Sequence, residues 1–96
     1  MKVNVALQII PITKPENVYD IVDKAIEYIQ KSGITYTVTP FETVIEGDLD
    51  EIFEIIKGAQ KACYDAGSDE LITNIKIQSN CKRDITTHEK MNKYTD

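Results

Sequence analysis

An α+β domain of order β-α-β-β-α-β is what this sequence predicts, and three observations predict it. Apolar and polar residues alternate at a period of two near both ends and in the middle, two apolar stripes recur between them at three- and four-residue steps, and a glycine follows each stripe. The first strand is Val3 to Ile10, with Val3, Val5, Leu7 and Ile9 on one face and Asn4, Ala6, Gln8 and Ile10 on the other. Thr13, followed by Glu16 and with Pro15 in the first turn, predicts a helix start. Val18, Ile21, Val22, Ala25, Ile26 and Ile29 form that helix's apolar stripe, and Ser32-Gly33 stops it. Thr35, Thr37 and Thr39 then alternate with Tyr36 and Val38 as a second strand, until Pro40, which has no N–H to give a ladder. Thr43 to Glu46 is a short β-branched strand closed by Gly47-Asp48. Asp48 and Glu51 have the spacing of a capping box for a second helix, about Leu49 to Ala66, with Ile52, Phe53, Ile56, Ala59, Cys63 and Ala66 inward and Gly67 as its stop. Leu71 to Ser79 is the last strand.

These are two βαβ halves joined by a hairpin near Pro40, the ferredoxin-like arrangement. Right-handed crossovers put both helices on one face of a four-stranded antiparallel sheet and leave the other face bare. Asn4, Ala6, Gln8 and Ile10 of the first strand and Ile72, Asn74, Lys76 and Gln78 of the last occupy that face, mixing apolar groups with amides. Residues 1–81 make the domain. Residues 82–96 lose the periodicity and form a polar C-terminal extension, with packing on a neighbouring subunit and fraying as its two alternatives.

Ninety-six residues support one core that buries roughly two-thirds of the unfolded chain's surface. A net charge of −5, from 11 basic and 16 acidic side chains, argues against a nucleic-acid binder, which needs clustered Lys and Arg. No apolar run approaches the ~20 residues of a membrane span, and Met1-Lys2-Val3-Asn4-Val5 is no signal peptide. Cys63 and Cys81 lack the spacing of a metal or redox pair and read as reduced thiols of a cytoplasmic protein. His88, the only histidine, stands in the polar tail, and the acidic turn Asp48, Asp50, Glu51 and Glu54 is what a helix N-terminus favours. With no nucleophile elbow, phosphate-cradling Gly-rich loop or paired-cysteine motif, the expectation is no catalytic residue, no metal and no cofactor.

The remaining chemistry suits a small ligand. Glu46 offers a fixed acceptor for an amino group or a cation, against the plainer reading of a solvated strand-end carboxylate. Gln8, Asn74 and Gln78 offer donor and acceptor pairs for a heterocycle edge, or else decorate an open sheet. Tyr36 and Phe41 offer rings for stacking, or else packing.

Ile10-Pro11 at the end of the first strand, Ser32-Gly33-Ile34-Thr35-Tyr36, the central Pro40-Phe41-Glu42-Thr43-Val44-Ile45-Glu46-Gly47-Asp48, and Ile75-Lys76-Ile77 together resemble the thiamine-binding protein family, UPF0045, over nearly the whole chain. The central segment is the specific part. The resemblance implies a ferredoxin-like protomer that pairs into extended sheets and stacks as a homotetramer, binding thiamine or its hydroxymethylpyrimidine moiety without a reaction. It assigns Thr43 and Glu46 to the site, and the bare-face reading adds Gln8, Tyr36 and Asn74. The chain departs from the family pattern after the last strand, where Ser79-Asn80-Cys81-Lys82 precedes Arg83. A non-catalytic binding protein for thiamine or an aminopyrimidine is therefore expected. The alternative is a structural or regulatory oligomerisation module with no small-molecule ligand. An acylphosphatase-like enzyme is the poorer fit, because its arginine cradle would have to come from Arg83, beyond the last strand.

Overall fold

The computed structural model describes residues 1–91. In chain order it contains β1 (Lys2–Ile12), a 3₁₀ turn (Pro15–Asn17), α1 (Val18–Lys31), β2 (Thr35–Val38), β3 (Thr43–Asp48), α2 (Leu49–Asp65), β4 (Glu70–Gln78) and a short α3 (Thr87–Met91). The strands form one sheet in the order β2-β3-β1-β4, antiparallel at every pairing. This is the ferredoxin-like fold, with α3 added after the last strand. No helix among the described residues is long and apolar enough to cross a membrane.

Register decides which side chains share a face. Val3, Val5 and Leu7 stand opposite Gly47, Ile45 and Thr43 of β3, and this face packs on the helices. Ile21, Ala25 and Ile29 of α1 and Ile52, Ile55, Ile56, Ala59 and Cys63 of α2 complete the core. Asn4 lies opposite both Glu46 and Gln78, Ala6 opposite Val44 and Lys76, Gln8 opposite Asn74, and Ile10 opposite Ile72, so the predicted bare face forms as one surface.

Four local expectations change. Thr13 does not cap α1; the chain first makes the 3₁₀ turn, and α1 starts at Val18 with no side-chain cap on its N-terminus. Phe53 lies on the exposed side of α2 and Ile55 takes the buried position, because a helix seated over a sheet buries a stripe wide enough to take both Ile55 and Ile56. Ala66 is exposed, since the helix has already ended there. Strand β1 also runs further than expected, through Pro11 opposite Leu71 to Ile12 opposite Glu70. Strand β3 has ended opposite Leu7, so on that side of β1 there is no ladder for a missing N–H to interrupt.

The helix stops are as the glycines imply. Gly33 and Gly67 adopt φ of 79° and 110°, a left-handed backbone that suits glycine. The Cys63 thiol donates to Ile21 O at 3.7 Å across the helix pair, and burial pushes its pKa up, which leaves it inert. At the start of α2, Asp48 Oδ1 accepts from the N–H groups of Asp50 (3.0 Å) and Glu51 (3.5 Å). Replacing Asp48 by Ala is expected to lower stability by about 1 kcal/mol. Urea unfolding would read this as a lower midpoint at unchanged slope, and an unchanged midpoint would show the cap to be dispensable.

Candidate functional site

After β4 the chain turns back across one end of the bare face. Lys2 N–H donates to Asp84 Oδ1 at 2.8 Å, and Ile85 N–H donates to Lys2 O at 3.0 Å. This occurs where β4 no longer pairs with β1, since their register begins at Asn4 opposite Gln78. Ile85 is consequently only 3% exposed. The Asn4 amide donates to Ile85 O at 3.3 Å, Thr87 Oγ1 lies 3.5 Å from Asn4 Oδ1, and Thr87 N–H donates to Glu46 Oε1 at 2.7 Å. Residues 84–87 thus form a strap across the Asn4–Glu46 pair, and Asn4 is left 3% exposed beneath it. Residues 84–87 are held on their own sheet, and residues 92–96 are outside the described part.

Beside the strap the bare face holds a cleft of about 330 Å³. Ala6 and Val44 form its floor, Glu42, Lys76 and Gln78 line it, and Lys90 of α3 stands on its wall. Glu42 Oε2 and Lys76 Nζ are 3.6 Å apart, a contact weakened by water because the Lys76 side chain is 78% exposed. One step along the sheet, Asn74 Nδ2 donates to Gln8 Oε1 at 3.2 Å.

A second concavity opens on the helix face, where β3 ends and β1 continues. Val22 and Ile26 of α1 form one wall, the hairpin Val38–Phe41 the other, and Leu7, Ile9 and Thr43 the floor, with Gln8 and Glu42 at the mouth. Its volume is about 110 Å³, and a hollow of about 30 Å³ shares its lining. The hairpin is held by Thr39, whose N–H and hydroxyl both donate to Glu42 O, at 2.9 and 2.7 Å, and whose hydroxyl also accepts from Glu42 N–H at 3.1 Å. This leaves Phe41 81% exposed at the rim. Thr43 is only 7% exposed, lines the groove, and makes no hydrogen bond through its hydroxyl among the described residues.

A third depression, about 320 Å³, lies between the outer ends of α1 and α2. Its charges are occupied with one another: the hydrogen bond from Lys31 (2.8 Å), with Lys24 beside it, holds the Glu27 carboxyl below its usual range. Among the described residues no group of His, Cys, Asp and Glu could hold a metal ion.

The predicted site residues therefore divide between two faces. Gln8, Glu46 and Asn74 belong to the bare face; Thr43 and Tyr36 belong to the helix face, where Tyr36 packs against the core. Thr43 and Glu46 are three apart on one strand, an odd spacing that sends their side chains to opposite sides. The structure brings Gln8 beside Asn74 and also to the mouth of the Thr43 groove, and it sets Glu46 under the strap. Glu42 is the carboxylate that sequence reasoning missed, since it borders both concavities. Its even spacing to Val44 and Glu46 was the available signal, and the Pro40 turn obscured it.

A ferredoxin-like sheet with a ring-sized groove at the end of a hairpin and a cleft on its open face is a small-molecule binding architecture. The chain belongs to the family described as Thiamine-binding protein, whose profile matches residues 5–95. It is 41% identical over 91 residues to a UPF0045 protein of Clostridium perfringens, covering 95% of each chain, and 32% identical over 87 residues to one of Methanothermobacter thermautotrophicus, covering 88% of each. A Bacillus cereus domain of unknown function, DUF77, superposes with a TM-score of 0.94 at 44% identity over 100% of this chain and 92% of that one. A Thermotoga maritima protein named for thiamine biosynthesis or salvage superposes with a TM-score of 0.90 at 28% identity over 98% and 99%.

The strap's attachment is open to measurement. Ile85→Ala removes its buried side chain and is expected to destabilise the protein by about 2–5 kcal/mol, or by less if the strap simply lets go. Hydrogen exchange at the Ile85 and Thr87 amides separates the two cases. Unchanged exchange at both would contradict the attachment described.

Proposed function

We propose that the protein is a non-catalytic binding protein for thiamine or its hydroxymethylpyrimidine moiety, and that the pyrimidine ring enters the Thr43 groove. The observation that carries this reading is that Thr43, a nearly buried residue whose hydroxyl makes no hydrogen bond among the described residues, lines a groove bordered by Val22, Ile26, Val38 and Phe41. A flat ring would bury its faces between Val22 and Ile26 on one side and the hairpin on the other, and one ring nitrogen would accept from Thr43. Phe41 stacks at the rim. Glu42 at the mouth meets the exocyclic amine or the cationic thiazolium, which a chain of net charge −5 also attracts.

The other residues act around this ring. Gln8 presents its amide at the mouth and Asn74 holds that amide through their 3.2 Å bond, while Tyr36 supports the hairpin from the core. Glu46 acts at a distance by holding the strap. At about 110 Å³ the groove takes a ring and not a whole drug-sized ligand, for which pockets run roughly 300–1,000 Å³. The rest of thiamine would extend past Phe41. Membership of the thiamine-binding family and the name of the Thermotoga relative support the choice of ligand.

A second reading, an oligomerisation module with no ligand, draws on the isoleucines of β1 and β4. Ile10, Ile12, Ile72, Ile75 and Ile77 are all exposed along an unpaired edge strand and its neighbour, an apolar stretch that monomers seldom leave open. The two readings are compatible, and we place the ligand-binding protein in a homotetramer. Light scattering at micromolar concentration should give about four times the 10.9 kDa chain mass; a monomeric mass would remove the assembly from the account.

Calorimetric titration with thiamine and hydroxymethylpyrimidine tests the groove. Thr43→Val should weaken binding by about two- to tenfold, the loss of one neutral hydrogen bond. Glu42→Gln should cost about one to two decades, the loss of a charge-assisted one, with a smaller effect from Glu46→Gln. Mass spectrometry should recover the ligand intact. Equal affinity in all three variants would place the site elsewhere, and no binding by the wild type would favour the module reading.

A further inference from the structure

The hollow of about 30 Å³ is the inner end of the Thr43 groove. Leu7, Ile9 and Thr43 line both spaces, as do Val22 and Ile26, whereas Ala25 and Ile29 line the hollow alone. These two are 3% and 1% exposed, while Phe41 at the rim is 81% exposed, so the pair of spaces runs from solvent to the edge of the core. Its existence follows from one residue of α1. Ala25 has Val22 one turn before it and Ile29 one turn after it on the same helix face. Leu7 and Ile9, two apart on the helix-facing side of β1, complete the lining. Among the apolar residues of this helix face Ala25 alone has no carbon beyond Cβ, and the space beside it stays open.

The lining also states what suits the hollow. No ionisable side chain borders it, and the Thr43 hydroxyl is the only polar side-chain group that does. Its volume exceeds the roughly 10–15 Å³ that admits one water, but a buried water usually makes roughly two to four hydrogen bonds, and the side chains here provide a single hydroxyl. A methyl group is of similar size and has no polar atom to satisfy.

We propose that the hollow is a methyl subsite and that Ala25 determines specificity by keeping it open. The inference rests on the pyrimidine reading of the groove. Hydroxymethylpyrimidine carries a methyl group on the carbon between its two ring nitrogens, and an amine on the carbon opposite one of those nitrogens. When that nitrogen accepts from Thr43, the methyl is the adjacent substituent and enters the hollow. The amine is then directed the other way, to Glu42 at the mouth, and the hydroxymethyl group beside it points past Phe41. Reversing the ring would carry the amine into an aliphatic hollow, where it would lose its hydration without gaining a partner.

Calorimetric titration of the wild type with hydroxymethylpyrimidine and with the same ring lacking its 2-methyl group is the first test. The methyl compound is expected to bind about tenfold more tightly. Ala25→Val fills the hollow and should cost the methyl compound about tenfold more than the desmethyl one, which removes the preference. Ile29→Val takes one carbon from the hollow's wall and should let a 2-ethyl analogue gain about fourfold on the methyl compound, a readout that does not depend on Ala25→Val folding. Equal wild-type affinity for the methyl and desmethyl rings, with Thr43→Val still weakening both, overturns the methyl subsite and leaves the groove reading in place. A preference that persists in folded Ala25→Val overturns the role of Ala25. No binding by the wild type, or binding that Thr43→Val leaves unchanged, overturns the groove and the subsite together.

Discussion

Strand β1 is the constraint on which the rest of the molecule depends, because it lies inside the sheet and pairs with both β3 and β4. Its alternation sends Val3, Val5 and Leu7 into the core and Asn4, Ala6 and Gln8 to the open face, and its neighbours inherit that division through the register. A slip of one residue would exchange the two faces along the whole strand. Its length matters as well. Because β1 continues to Ile12 after β3 has ended opposite Leu7, the hairpin and α1 close only partly over Ile9, and the groove is what remains.

At its other end β1 outruns β4, and the same excess of unpaired backbone is met differently. Where β4 no longer offers a ladder, the backbone N–H and C=O of Lys2 take other partners, Asp84 and Ile85 of the returning chain. That return buries Asn4, whose amide would be expensive to cover unpaired, and the strap supplies both Ile85 O and Thr87 Oγ1 to it. The polar bare face is thus closed at one end and open along the rest. Closure at Asn4 and openness at Ala6 have one cause, the point at which β4 stops.

Surface charge contributes less to the fold than to the sites. The ion pairs along α1 and α2, such as Lys31 with Glu27 and Lys61 with Asp65, are exposed i,i+4 contacts of the sort worth a few tenths of a kcal/mol. Hydrophobic burial of Ile29, Ile45 and Ile52 outweighs them. The carboxylates near the concavities stand apart because each has a particular partner: Glu42 has Lys76 and Glu46 has the strap.

The sequence by itself determined the element order, the two glycine stops, the Asp48 cap, the division of β1 and β4 into two faces and the family, because these follow from spacing within short windows and from local backbone chemistry. It also set Gln8 and Asn74 on the same bare face, since parity along each strand is legible once the topology is known. Tertiary structure alone decided that Glu42 is the carboxylate shared by groove and cleft and that residues 84–87 lie on β1. The physical reason is that each of these depends on where one strand ends relative to its neighbour, a quantity set by packing and register across 40 to 80 residues of chain and carried by no local pattern.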